Sequence, residues 1–371
     1  MTDKAAYTAQ RVFDGAAIHE NAAVLVAEGR IAGIVPASGI PDVYPIEDLG
    51  TGLLSPGLVD LQVNGGGGLM LGDARTLEDL AEICAAHVPL GTTAMTPTLI
   101  TDTPETTRRV VGLGIEAAAK AVPVFRGLHL EGPHLSVKRK GAHDSELIRP
   151  MSADDLAFYL DAARQLPSLM ITVAPETVTP KQIEALRKGG VHVSLGHTGA
   201  GYEICKGAGK AGATCVTHLF NAMSPLQHRE PGLVGAALDL GMFNAGLIAD
   251  GIHVDPVAIR VALKSKRGPG RIFLVTDAMS QTGTDVRSFT LGGRTIFRKN
   301  GMLCLADGTL AGADIDLPAS LRFLCDGVGV DRLTALMMAT SYPADVIGVP
   351  VGRLQRNRTA DMVLFGPDFA V

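Results

Sequence analysis

Between residues 58 and 276 the chain repeats one pattern eight times: an apolar run of strand length, then a longer stretch with helical spacing. Short apolar runs bounded by Gly and Pro suit strands buried on both faces, and a helix between successive runs is the connection that parallel strands require. The runs fall at 58–63, 92–96, 124–130, 169–174, 191–196, 214–217, 245–249 and 271–276. The intervening segments TLEDLAEICAAHV, PETTRRVVGLGIEAAAK, SADDLAFYLDAARQL, TPKQIEALRKGG and DPVAIRVALKSK open on Ser, Thr, Asp or Pro, where helix caps belong. Eight such units predict an α/β fold, a (β/α)8 TIM-type barrel.

The flanks read differently. From Tyr7 to about Gly52, short alternating segments such as VLVAEGRIAGIVP are broken by Gly and Pro, the pattern of small strands. The last segment, TADMVLFGPDFAV, is one further strand that returns to this layer. The expected organisation is a small β-sandwich-like second domain formed from both termini, 1–54 and 346–371, around a barrel of 55–345. After the eighth strand FTLGGRTIFRKNGMLCLADGTL reads as a hairpin excursion without chemistry of its own.

Composition removes several classes of function. The net charge is −5 and no long basic tract occurs, so the footprint of a nucleic-acid binder is missing. No apolar stretch is long enough to span a bilayer, and MTDKAAYTAQRVFDG lacks the apolar run of a signal peptide, so the cytoplasm is the expected location. The five cysteines are odd in number and never spaced Cys-x-x-Cys, which argues against disulfide staples and a thiolate metal site.

Catalytic residues of such barrels sit at the C-terminal ends of the strands. Here GLHLEGPH ends strand three on His129, Glu131 and His134, VSLGHTGA ends strand five on His197, CVTHLFNAM ends strand six on His218, and FLVTDAM ends strand eight on Asp277. Any one such histidine is readily explained as hydrogen-bonded structure. Four ionisable strand ends on one face are harder to explain that way, because each buried group needs a partner to offset its desolvation. A shared cation is that partner for Glu131, His197 and His218, a set suited to zinc or ferrous iron. Asp277 reads as the acid/base that takes a proton from water and returns it to a leaving amine, with a fourth ligand or a rim salt bridge as the other roles open to it.

Weaker signals surround these. The run from Asn64 to Gly68 after strand one suits either close approach of a ligand or a flexible turn. Lys138, Arg139 and Lys140 read as a solvated loop, with His143 near the metal-bearing strand end. Asn221, Arg229 and His253 follow strands six and seven, where an anionic group could be bound; Arg229 serves equally well as a structural salt bridge.

Taken in order, LLSPGLVDLQVNGGGG, GLHLEGPHLS with KGAHD, SLGHTGA, VTHLFNAMSPL with HREPGLVGAAL, ADGIHV and LVTDAM resemble the N-acetylglucosamine-6-phosphate deacetylases of the amidohydrolase superfamily, from about Gly52 to Gly312. The resemblance implies hydrolysis of N-acetyl-D-glucosamine 6-phosphate to D-glucosamine 6-phosphate and acetate. It implies one divalent ion per subunit, zinc before iron or cobalt, on Glu131, His197 and His218. Asp277 matches the family's acid/base and His143 the residue that polarises the acetamide carbonyl. Ala142, Asn221, Ala222, Arg229, His253 and the turn Leu310, Ala311, Gly312 match contacts to the sugar phosphate, Arg229 being offered across a homodimer interface. Two departures stand out. Where many superfamily members place His-x-His at the end of strand one, this chain has Gln62-Val63-Asn64, which removes two ligands for a second ion. Relatives also continue beyond the equivalent of Phe369, so the small domain is expected to be one strand short. The rival substrate is N-acetylgalactosamine 6-phosphate, which differs at one hydroxyl configuration; the rival class is a catalytically inactive scaffold.

Overall fold

The structure, a computed structural model, describes residues 4–371. All eight expected barrel strands are present, as Leu58–Val63, Thr92–Ile100, Leu128–Glu131, Leu169–Val173, His192–Leu195, Cys215–Val216, Asn244–Leu247 and Ile272–Leu274. They pair in parallel, each beside its chain neighbour, in one eight-stranded sheet. Helices between them start where the caps predict: Thr76, Ser152 and Thr179 each close a capping box with the residue three positions on. Their apolar faces cover the sheet in one large core that includes Leu128, Ile171, Val193, Val216 and Leu274.

Closure of the barrel is polar. Asp277 N donates to Gln62 O at 2.9 Å and Asn64 N to Ala278 O at 2.7 Å. Just below, the buried Asp60 Oδ2 accepts the Thr276 hydroxyl at 2.6 Å. Burial pushes the Asp60 carboxyl up to about 7, against the bonds from Thr276 and Gln62. The first and last strands are therefore tied together directly beneath Asp277.

The second domain is also present, drawn from both termini as expected. Lys4–Phe13, Ile18–Ala27, Arg30–Pro36, Ile46–Asp48 and Leu53–Pro56 form one mixed sheet, and Met362–Phe365 joins it antiparallel to Leu53–Pro56. The excursion after strand eight is larger than a hairpin. Ser288–Leu291, Arg294–Lys299, Met302–Cys304 and Leu310–Ala313 make a four-stranded antiparallel sheet. Ala313 N donates to Asp277 O at 3.0 Å, so this sheet is rooted beside a predicted site residue instead of standing apart from the chemistry.

One surface tie is suited to a test. Asp155 closes the capping box of helix Ala153–Gln165 and pairs with both guanidinium ends of Arg149, whose carbonyl accepts the His134 Nδ1 hydrogen at 3.0 Å. Burial works against the Asp155 charge, but Arg149 and Ser152 outweigh it and hold the carboxyl well below its ordinary range. A depressed folded pKa gives stability that is present above the unfolded pKa and lost as pH falls. Asp155→Asn should lower Tm by roughly 2–4 °C at pH 7. Thermal unfolding across pH should show that difference shrinking below about pH 4, as the unaltered carboxyl also protonates.

Candidate active site

Four of the predicted residues meet at the C-terminal mouth of the barrel. Glu131 is the last residue of strand three, while His197, His218 and Asp277 lie just past strands five, six and eight. The last three hold positive φ, at 45°, 28° and 53°. Non-glycine residues pay for that conformation, and such strain persists where surrounding structure imposes it. Here it turns each side chain from its strand end into the mouth.

Three potential ligand atoms crowd one point. His197 Nε2 lies 3.1 Å from Glu131 Oε1 and 3.0 Å from His218 Nε2, and His218 Nε2 lies 3.0 Å from the same carboxylate oxygen. His197 Nδ1 donates to Arg139 O at 2.8 Å, so in the neutral ring Nε2 carries only a lone pair. His218 Nδ1 is buried without a partner among the described residues, so none of them outside the cluster fixes where its hydrogen resides. Burial opposes the Glu131 charge, yet the bonds from His197 and His218 hold its carboxyl well below the usual range. A carboxylate oxygen and two ring nitrogens at this spacing fit one divalent ion roughly 2.0–2.2 Å from each.

His143 also brings a ring nitrogen within 4.8 Å of the Glu131 and His197 donors. Its Nδ1 lies 2.8 Å from the Thr101 hydroxyl and accepts the Thr101 amide hydrogen at 3.3 Å; with Nδ1 accepting, the ring's hydrogen is on Nε2, 3.9 Å from Glu131 Oε2. Burial, then the His197 charge, pushes this ring down to about 3 and keeps it neutral. A protonated nitrogen donates and does not ligate, so His218 completes the donor set better than His143.

Asp277 is half-buried beside this cluster. Its Oδ1 accepts Asn64 Nδ2 at 2.7 Å and Gln62 Nε2 at 3.2 Å, and the same Gln62 nitrogen lies 3.3 Å from Glu131 Oε1. Gln62 and Asn64 thus clamp carboxylates here. Burial and then the Glu131 charge push the Asp277 carboxyl up to about 6, against His218 and Asn64.

The mouth opens into a cavity of about 420 Å³ lined by these groups and by Ala142, Asn221, Ala222, His253, Leu310 and Gly312. Gly312 has φ +72°, and a Cβ there would stand 2.9 Å from Asp277 O, so the turn admits only glycine. Two predicted contacts lie elsewhere: Ala311 is buried off the cavity, and Arg229 sits exposed in the loop before helix Gly232–Asp239. Lys138 and Arg139, read as a solvated loop, line the cavity, as do Leu291 and Thr309 from the antiparallel sheet. Lys140 faces a second cavity of about 600 Å³ beyond Ala142 and His143. Of this sheet only Leu310, Ala311 and Gly312 were named from the sequence, through the family resemblance; Leu291 had no such signal, since the anchor of Ala313 to Asp277 brings the sheet here.

The remaining strand-three histidines are structural. His129 Nδ1 donates to Leu61 O at 3.0 Å, and its Nε2 accepts the Thr172 hydroxyl at 2.7 Å, inside the barrel. His134 turns away to Arg149 O and Tyr159.

Comparison with known proteins places the chain in a family. The amidohydrolase family model matches residues 53–371. This chain belongs to the amidohydrolase family. Among family members, an N-acetylgalactosamine-6-phosphate deacetylase of a Shewanella species is 39% identical over 353 residues, 94% of this chain and 89% of that one. An N-acetylglucosamine-6-phosphate deacetylase of Haemophilus influenzae is 33% identical over 354 residues, 94% and 92% of the two chains. The crystal structure of N-acetylglucosamine-6-phosphate deacetylase from Pasteurella multocida superposes with TM-score 0.94 at 34% identity, covering 99% of this chain and 96% of that one.

The two kinds of histidine separate experimentally. His197→Ala should retain less than about a tenth of the roughly one divalent ion per chain expected of the unaltered protein. His129→Ala should keep its metal but lower Tm by roughly 5 °C, having left Thr172 and Leu61 unpaired. Elemental analysis and thermal unfolding of the two variants read both effects.

Proposed function

We propose that this chain hydrolyses N-acetyl-D-glucosamine 6-phosphate to D-glucosamine 6-phosphate and acetate. The observation that carries this reading is the convergence of Glu131 Oε1, His197 Nε2 and His218 Nε2 within 3.1 Å of one another beside the half-buried Asp277 carboxyl. Relatives that are 33–39% identical over most of the chain, named as deacetylases of 6-phosphorylated N-acetyl amino sugars, supply the substrate class. Glu131, His197 and His218 would hold one ion, zinc first, with iron or cobalt accepted by the same donors. Such an ion supplies Lewis-acid chemistry, acidifying water and polarising an amide carbonyl.

The side chains do the rest. With Oδ1 taken by the Asn64 and Gln62 amides, Asp277 has Oδ2 free to accept the proton of the attacking water. It then hands that proton to the sugar nitrogen as the C–N bond breaks. His143 presents Nε2–H to the acetamide oxygen where negative charge develops. Gln62 and Asn64 stand where ligands for a second ion would be needed, which supports a single-ion site.

Asn221, Ala222, His253, Leu310 and Gly312 would receive the sugar phosphate. Arg229 is exposed and off its own chain's cavity, which supports its delivery to a partner's site in a homodimer. The barrel at 55–345 would carry all of this chemistry, with 1–54 and 346–371 as the small domain. Five free thiols support a reducing, cytoplasmic setting. No helix among the described residues is long and apolar enough to cross a membrane.

A second reading, deacetylation of N-acetylgalactosamine 6-phosphate, is favoured by the 39% identity to the Shewanella protein of that name. Acetate release from both sugars decides between them. The gluco substrate should show the higher kcat/KM; a higher value for the galacto sugar replaces the first reading with the second, and no acetate from either leaves a scaffold. Asp277→Asn should lower kcat by roughly 10²–10⁴-fold with its metal retained, and near-normal turnover would contradict the acid/base role.

A further inference from the structure

Asp250 lies three residues past barrel strand Asn244–Leu247, and both of its carboxylate oxygens are committed. Oδ1 accepts the backbone hydrogens of Ile252 and His253, each at 2.8 Å, and Oδ2 lies 2.6 Å from His253 Nδ1. The two side chains are 5% and 7% exposed. One carboxylate therefore sets the backbone of the turn and the rotation of an imidazole that lines the active-site cavity. The turn itself is held: Gly251 has φ +73°, and a Cβ there would meet the Phe323 ring at 2.8 Å.

Chemistry then assigns the ring atoms. Burial works against the Asp250 charge, but His253 and the two amides outweigh it, so the group is a carboxylate that can only accept. His253 Nδ1 must donate to it, which leaves Nε2 as the ring atom available to a ligand. A phosphate in front of Nε2 and a carboxylate behind Nδ1 make both ring nitrogens donors, the charge-assisted arrangement that binds anions strongly.

We propose that Asp250 is a positioning residue that acts through His253, holding Nε2 toward the 6-phosphate of the substrate. This rests on the reading of the cavity as a sugar-phosphate site. A side chain needed only for the turn would alter stability without distinguishing phosphorylated from unphosphorylated sugar. A positioning residue must make that distinction.

The test is steady-state kinetics of the metal-loaded protein on N-acetyl-D-glucosamine 6-phosphate and on N-acetyl-D-glucosamine, for the unaltered chain, Asp250→Asn, His253→Gln and the double variant. Asp250→Asn should raise KM for the phosphorylated sugar by roughly 10-fold or more, with kcat within about twofold. Its kcat/KM for the unphosphorylated sugar should stay within about twofold of the unaltered chain's, and the double variant should add little to His253→Gln. Equal losses on both sugars, an unchanged KM, or additive effects would overturn the proposal. Imidazole ¹⁵N resonances of labelled histidine give a readout independent of turnover: His253 should carry its hydrogen on Nδ1 in the unaltered chain and lose that preference in Asp250→Ala. An unaltered preference would overturn it too. If the unaltered chain cleaves neither sugar, the substrate reading has failed, and the resonances still decide the Asp250–His253 coupling.

Discussion

A carboxylate oxygen and two ring nitrogens within about 3 Å of one another, in a buried site, define a problem in electrostatics that the rest of the barrel mouth is arranged around. Lone pairs do not pack against lone pairs unless a hydrogen or a positive centre lies between them. The Arg139 carbonyl makes the demand explicit by taking the His197 Nδ1 hydrogen and leaving Nε2 bare. The left-handed backbone at His197 and His218 is the conformational cost of turning both rings onto the same carboxylate oxygen. A divalent ion between the three atoms would offset both costs at once.

The neighbours of that cluster divide the work of charge control. Gln62 places one amide nitrogen between the carboxylates of Glu131 and Asp277, and Asn64 adds a second donor to Asp277. These amides separate two like charges without bringing in another cation, and both fall on the same oxygen of Asp277. The same seam closes the barrel, since Asp277 N and Asn64 N bond across strands eight and one. Fold closure and site chemistry share atoms. Asp250 behind His253 repeats the device of the Arg139 carbonyl on His197, with an accepting group facing Nδ1 of a cavity histidine.

Most of the barrel was legible because strand burial and helix caps are local signals. All eight strands and the helix starts at Thr76, Ser152 and Thr179 follow from apolar runs and capping residues that need no knowledge of distant contacts. The site was legible for a related reason: Glu131, His197, His218 and Asp277 each end a predicted strand on the same face. What stayed hidden was set by tertiary structure. His129 and His134 flank Glu131 in sequence, yet one points down into the barrel and the other out to Tyr159. The excursion after strand eight carries four strands and walls the cavity because Ala313 bonds to Asp277, a contact with no local signature. Asp250 looks like a turn residue until its second oxygen is seen on His253.

The central claim is that one cation, and only one, satisfies the acceptor cluster and enables hydrolysis. Titrating zinc into the metal-stripped protein while following bound metal and acetate release from N-acetyl-D-glucosamine 6-phosphate tests it directly. The account predicts that activity rises linearly with occupancy and stops at about one ion per chain. Activity in the stripped protein, or a rise that continues to two ions per chain, would contradict it.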